Sequence, residues 1–329
     1  MTKLMIYGAA GYTGRMASTN AKAHDLDLVI AGRAQDEKRL APIAEELVVE
    51  YRLFGADDRA ATEAALADVG VLLNCAGPFL HTAEPLMRAC IATGTHYLDI
   101  AAEMDSYHLA EALDEAAKAA GVMLLPGSGG SVAMLGSLAG HAARRVTAPT
   151  KLSIAMQIAG GFSRGSAVSA SKNVTSETLQ RVDGTLVSRG PEEVRPFDFG
   201  KGPATSFPVT LPDLITIWRA TQIPNIETFV HVSEGAFPEG NLAAMPDGPT
   251  LEQREANRYY AAVEVTGADG TVVRSVLDTV NGYTFTTIAA AEAARRVVGG
   301  EVRPGFQTPA MLFGSGFAET IADTVIQDL

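Results

Sequence analysis

The sequence predicts an α/β protein: a doubly wound parallel sheet at the N-terminus, then an α+β domain built on a mainly antiparallel sheet. Three observations predict it. An apolar run, Leu4 to Tyr7, ends in Gly8-Ala-Ala-Gly11-Tyr-Thr-Gly14 and leads into a helical stretch. Short β-like runs then alternate with helical ones as far as about Val146. After about Thr147 the texture changes to strands with few helices between them. The expected domains are therefore 1–147, for dinucleotide binding, and 148–329, for substrate binding or dimerisation.

In the first domain, strands are predicted at 3–8, 26–32, 48–54, 69–75, 96–100 and 122–126. Helices are predicted at 15–24, 37–47, 59–67, 82–93 and 107–120, all rich in Ala, Leu, Glu and Lys. Such alternation implies right-handed β-α-β units, and six strands fit two mononucleotide-binding halves. Asp105-Ser106 is expected to cap the fifth helix and Gly121 to end it. In the second domain, strands are predicted at 152–158, 185–188, 205–210, 227–233, 259–266 and 271–280. Gly267-Ala-Asp-Gly270 is a hairpin signal between the last two. A helix is expected at 166–181, and ordered loops at 189–208 and 238–249, which are rich in Pro and Gly. The Ala-rich stretch 283–298 reads as a helix ended by Gly299-Gly300, and a further helix is expected from about Gly316. These last elements are expected to pack back near the first domain.

The first turn carries the chemistry. A glycine pattern between a strand and a helix is a dinucleotide-binding signature. Gly8 allows the tight turn, Gly11 lets backbone approach a pyrophosphate, and Gly14 lets the helix pack closely. The N–H groups near Tyr12 and Thr13 then stand at a helix N-terminus, where an anion is favoured. Ala10 completes the turn. The spacing is G-x-x-G-x-x-G, looser than the strict G-x-G-x-x-G.

The second predicted strand ends Ala31-Gly32-Arg33, with no acid at its tip to hold ribose hydroxyls. Arg33 is placed to meet a 2′-phosphate, so NADP(H) is preferred over NAD(H). Asp57 reads equally as an adenine neighbour or a loop acid. Ala76, Gly77 and Pro78 follow the fourth strand and are expected to line the nicotinamide half. Pro126-Gly-Ser128-Gly-Gly-Ser131 follows the sixth, where its backbone donors or hydroxyls face nicotinamide or substrate, or it serves as a hinge into the second domain, the two not being exclusive. His96, Tyr97 and Glu103 are the titratable candidates for a proton donor, and Asp99 lies between them. Arg164, Lys172, His231 and Arg258 are candidates to clamp an anionic substrate.

Composition removes several classes. A net charge of −12 argues against nucleic acid as the main partner. Hydrophobic residues at 47% allow large cores. Cys75 and Cys90 are the only cysteines, with no C-x-x-C, so no metal site is expected and a reducing cytoplasm is. The most apolar later stretch, 122–143, is broken by Pro126 and four glycines, so no membrane span is expected, and no signal-peptide pattern opens the chain.

Taken together, Gly8-Ala-Ala-Gly-Tyr-Thr-Gly-Arg15, Ala31-Gly-Arg33, Asn74-Cys-Ala-Gly-Pro-Phe79, Gly94-Thr-His-Tyr-Leu-Asp-Ile100 with Glu103, Gly282-Tyr283 and Thr308-Pro-Ala-Met-Leu-Phe-Gly314 resemble the saccharopine dehydrogenase-like oxidoreductases, a family that includes trans-acting enoyl reductases. The resemblance implies a Rossmann NAD(P)-binding domain, a C-terminal α+β domain and hydride transfer, in the best-known members at a carbon–nitrogen bond. Two departures stand out. Ala10 replaces the family's usual Thr, and Ala102-Glu103 replaces its Gly-Glu. The expected function is NADP(H)-dependent hydride exchange with a C=N, C=O or activated C=C group of a small molecule, in a chain able to pair as a homodimer. The alternative from another class is a non-catalytic NADP(H)-binding sensor or scaffold. A Tyr-x-x-x-Lys reductase is disfavoured, because that spacing does not occur.

Overall fold

The computed structural model describes residues 2–172, 178–189, 194–233 and 245–329, the side chains of 169–172 excepted. Residues 190–193 of one expected loop and 238–244 of the other lie outside the described residues, as does the side chain of Lys172. The chain divides into two compact units, Met1–Gly130 with Thr286–Gln307, and Ser131–Phe285 with Thr308–Leu329.

The first unit opens as β1 (Leu4–Tyr7), α1 (Tyr12–Ala23), β2 (Leu28–Gly32), α2 (Glu37–Leu47), β3 (Glu50–Leu53) and α3 (Arg59–Leu66). It continues as β4 (Val71–Asn74), α4 (Phe79–Thr93), β5 (His96–Asp99), α5 (Met104–Ala112), α6 (Asp114–Ala119) and β6 (Met123–Leu125). All four residues of β1 are buried, as are all of β2 and β4, which is why these strands are unbroken apolar runs. β1 pairs in parallel with β2 on one side and β4 on the other. Strand order therefore reverses at β1, and the carboxyl ends of β1 and β4 flank the switch point where ligands bind in such sheets. Helix α5 starts at Met104, with Glu103 rather than Asp105-Ser106 at its N-cap and no side-chain cap bond. Gly121, at φ +69°, follows the end of α6.

The second unit begins with α7 (Ser131–Ala143) and β7 (Pro149–Ile158). Then come α8 (Arg164–Lys172), β8 (Leu179–Val182), β9 (Thr185–Ser188), β10 (Arg195–Asp198), β11 (Pro203–Pro208), α9 (Asp213–Thr221) and β12 (Asn225–Val232). Next are α10 (Leu251–Glu255), β13 (Tyr259–Gly267) and β14 (Val272–Thr279), the last two joined by the expected hairpin. Helix α11 (Gly282–Val298) precedes β15 (Gly305–Phe306), and α12 (Pro309–Phe313) and β16 (Val325–Asp328) close the chain. β15 adds a seventh strand beside β6 of the first sheet; residues 286–307 belong to the first unit, whereas 308–329 belong to the second.

The sheet of the second unit is nine-stranded among the described residues, antiparallel except where β12 runs parallel to β7. Helix α7 packs on β7, β13, β14 and α9, and this places the division at Gly130/Ser131, earlier than the expected 147/148. Its basic end is tied down by Asp328 of β16, which meets His141 Nε2 at 2.9 Å and Arg145 at 2.8 Å. The helix expected from Gly316 is instead a short 3-10 turn, Ala318–Thr320, followed by β16. Of the helix expected over 166–181, the described residues show Arg164–Lys172 as helix, while Leu179–Val182 pairs as a strand with β9 and β12.

One buried acid in this unit has a thermodynamic consequence. Asp213, in the first turn of α9, is fully buried and neither carboxyl oxygen has a hydrogen-bond partner. Burial pushes its pKa up to about 7. The folded form thus holds a proton that the unfolded chain releases near its ordinary value of 3.8. The resulting stability is complete below about pH 4, declines as pH rises toward 7 and is lost above that. Asp213→Asn should abolish this slope and be more stable than wild type at pH 8, by up to about 4 kcal/mol. Urea unfolding at pH 5 and pH 8 checks it; parallel behaviour of the two proteins would refute it.

Candidate functional site

The first turn is built by close approach. Gly8, at φ +84°, has Ala76 N only 2.7 Å from where a Cβ would stand. A Cβ on Gly14 would lie 2.3 Å from the Gly8 carbonyl oxygen. Gly11 differs: its φ is −79° and its nearest neighbour would be Gly8 O at 3.2 Å. Gly8 and Gly14 are thus required by the fold itself. At Gly11 a Cβ would be tight against the Gly8 carbonyl oxygen but would not overlap main chain as it would at Gly8 or Gly14. Gly8 and Ala9 N–H both donate to Ala31 O, at 2.8 and 3.2 Å, and Cys75 N–H donates to Tyr7 O at 2.8 Å. These bonds extend the pairing of β1 with β2 and β4 into the turn.

Helix α1 starts at Tyr12 with Gly11 as N-cap. No side chain caps it, and no acid stands in its first turn. Thr13 is half-buried and Gly14 buried. The positive end of the helix dipole therefore points at an open turn, a ready site for an anion such as a pyrophosphate.

Arg33, at the tip of β2, is 59% exposed in its side chain and donates Nε–H to Asp36 at 2.9 Å. Asp57 is exposed after β3. Arg39, on α2, is also exposed and its Nη2 donates to the Ala10 carbonyl oxygen. Sequence reasoning passed over Arg39, because only the tertiary course of α2 brings it to the turn.

On the other side of the switch point, Asn74 at the end of β4 accepts Ala76 N–H at 2.9 Å. Thr82 donates to Ala76 O at 2.7 Å. The two side chains fix the loop through Ala76, exposed Gly77 and Pro78, whose Gly77–Pro78 peptide is cis.

Asp99 anchors the ends of β5 and β6. Its Oδ1 accepts N–H groups of Ala101 and Gly127 at 2.9 and 2.8 Å, and its Oδ2 accepts the Tyr97 hydroxyl at 2.9 Å. The Ser128 hydroxyl donates to its main-chain oxygen at 2.8 Å. Burial raises the Asp99 pKa to about 6, with the three hydrogen bonds opposing that rise. Ser128 is thus held inward, against the expectation that its hydroxyl faces a ligand.

The proton-donor candidates are not brought together. His96 is the first residue of β5, about 10 Å before the carboxyl end. Its Nδ1 accepts Met123 N–H at 3.2 Å, and burial holds its pKa below the ordinary value. Tyr97 is fully buried, and its hydroxyl is shared between Asp99 and Asn74. Glu103, at the carboxyl side, is 6% exposed; its Oε2 accepts Ala102 N–H at 2.9 Å and its Oε1 has no partner. Burial pushes the thiols of Cys75 and Cys90 well up, so neither supplies a thiolate. In the second unit, Arg164 is bound by Met245 O and Asp247, Arg258 by Asp278 and Asp323 O, and His231 by Thr205 O. Each of these side chains has its own separate protein partner.

With this geometry in view, residues 4–125 match the saccharopine dehydrogenase NADP binding domain. Over those residues the first unit is similar to that domain. The chain is 26% identical over 144 residues to a saccharopine dehydrogenase-like oxidoreductase of Mus musculus, covering 38% of this chain and 34% of that protein. It is 27% identical over 118 residues to a trans-acting enoyl reductase of Mycobacterium ulcerans, covering 32% and 28%. The matches thus span about a third of these relatives. In fold, the chain is similar over 100% of both chains to apo saccharopine dehydrogenase (L-Glu forming) of Saccharomyces cerevisiae, at 12% identity and TM-score 0.70. A probable dehydrogenase of Thermotoga maritima shares the fold at 14% identity and TM-score 0.51, over 97% of this chain and 95% of that one. Among the described residues, no helix is long and apolar enough to cross a membrane.

The contrast among the glycines of this turn is testable. Gly14→Ala should destabilise the fold by about 2 kcal/mol or more, through contact with backbone that cannot move aside. Gly11→Ala should stay within about 1 kcal/mol of wild type. Thermal melting of the two variants reads the difference, and equal losses would contradict the assignment.

Proposed function

We propose that the chain is an NADP(H)-dependent oxidoreductase that exchanges hydride with a C=N, C=O or activated C=C group of a small molecule. The observation that carries this reading is the pairing of an uncapped α1 N-terminus with a β2 tip that ends in arginine, not in an acid. The match to an NADP binding domain supports the same cofactor. When bound, NADPH supplies the hydride, and the protein's task is to hold and orient it.

The turn of Gly8, Ala10, Gly11, Tyr12, Thr13 and Gly14 would receive the pyrophosphate on the main-chain N–H groups that open α1, since those of Gly8 and Gly11 already donate to Ala31 O and Gly8 O. Arg33 would turn its guanidinium to the 2′-phosphate. Its pair with Asp36 is largely exposed, and such pairs contribute little, so exchange for a doubly charged phosphate is favourable. Ala76, Gly77 and Pro78, held by Asn74 and Thr82, would form the wall of the nicotinamide half. Glu103 is the one proton-donor candidate at the carboxyl side of β5. The second unit, which begins at Ser131, would supply substrate contacts or a homodimer interface.

A second reading, a non-catalytic NADP(H)-binding sensor, draws support from one observation: His96 and Tyr97 are both engaged in the sheet interior. One set of measurements separates the two readings. NADPH fluorescence should report binding tighter than that of NADH, and Arg33→Ala should weaken NADPH much more than NADH. Equal weakening would sink the cofactor assignment. Turnover on a panel of imines, carbonyls and enals supports the oxidoreductase; binding without turnover on any of them supports the sensor.

A further inference from the structure

Three arginines lie close in sequence to the first turn or are brought to it: Arg15, Arg33 and Arg39. Arg15 pairs with Glu46 at 2.8 Å. Arg33 pairs with Asp36 at 2.9 Å, and with the Gln35 amide oriented to accept, its Nη1 and Nη2 reach that oxygen at 3.2 Å. Arg39 has no carboxylate partner among the described residues, and its hydrogen bond goes from Nη2 to a main-chain oxygen, that of Ala10. Ala10 is the middle of the first turn, 29 residues earlier in the chain.

A guanidinium carries five N–H donors in a planar fork. In a chain of net charge −12, an exposed arginine that reaches a ligand turn and meets no acid is unusual. It can accept an anion without giving up an ion pair. Arg33 must first exchange both Asp36 and Gln35. The turn holding Ala10 leads directly to the start of α1, and β2 ends beside it, as the bonds to Ala31 O require. The ribose of a dinucleotide whose pyrophosphate meets α1 lies at that strand end.

We propose that Arg39 is a second guanidinium of the 2′-phosphate site and contributes more than Arg33 to the choice of NADP(H) over NAD(H). The inference rests on the dinucleotide reading of the first turn. Its ligand chemistry is a phosphate monoester on ribose, met by a planar fork already held against the turn.

The test uses the full chain with four probes: NADPH, NADH, 2′,5′-ADP and 5′-ADP. Arg39→Ala should weaken NADPH and 2′,5′-ADP by roughly 10- to 100-fold and leave NADH and 5′-ADP within about 2-fold. Arg33→Ala should cost less on the same probes. Arg39→Lys should restore only part of the loss, because a point charge replaces a fork. Equal weakening of NADPH and NADH by Arg39→Ala would show a purely structural role through Ala10 and overturn the proposal. No change in either affinity would also overturn it while leaving the dinucleotide reading intact. If the wild-type chain bound none of the four probes, both readings would fall together.

Discussion

The first unit depends on one steric constraint: α1 and the ends of β1 and β4 approach too closely for any side chain. Gly14 lies against the Gly8 carbonyl, and Gly8 against the main chain of Ala76. Dense packing transmits such a contact without slack. It fixes the start of α1 over the end of β1 and draws the β4 exit loop to the same place. The helix dipole and the Ala76–Pro78 wall share one origin in this contact. At Gly11 the approach is looser, 3.2 Å from the Gly8 carbonyl oxygen to the place of a Cβ.

A second device orders the other half of the sheet edge. Asp99 accepts hydrogen bonds from the loop after β5 and from the loop after β6, with Tyr97 and Asn74 behind it. A buried carboxylate is costly unless its donors are in place, and here three are. The motif that appeared rich in titratable groups therefore divides by role. Asp99 and Tyr97 hold loops, His96 lies at the far end of its strand, and Glu103 alone keeps an unpartnered oxygen at the carboxyl side.

The parallel sheet was legible because fully buried strands are continuous apolar runs bounded by turn residues. β1, β2, β4 and β5 fall within the stretches that this pattern marks. The glycine turn was legible for the same local reason. What could not be read is what depends on distant partners. β15 is two residues long and exists only by pairing with β6. β16, expected as helix, is a strand because β14 offers it an edge. Leu179–Val182 likewise takes its form from β9 and β12. In the candidate site, Arg33 was visible from its place after the β2 residues, whereas Arg39 was not, since its approach to Ala10 is made by the path of α2. His96 drew notice by its type, yet its position in the strand directs it away from the ligand edge.

The central claim is that the uncapped start of α1 and the end of β2 together hold a 2′-phosphorylated dinucleotide. A crystal structure of the chain with NADP⁺ tests it most directly. The account predicts the pyrophosphate on the main-chain N–H groups that open α1, and the 2′-phosphate between the guanidinium groups of Arg33 and Arg39. A dinucleotide bound away from the first turn, or a 2′-phosphate contacted by neither arginine, would contradict it.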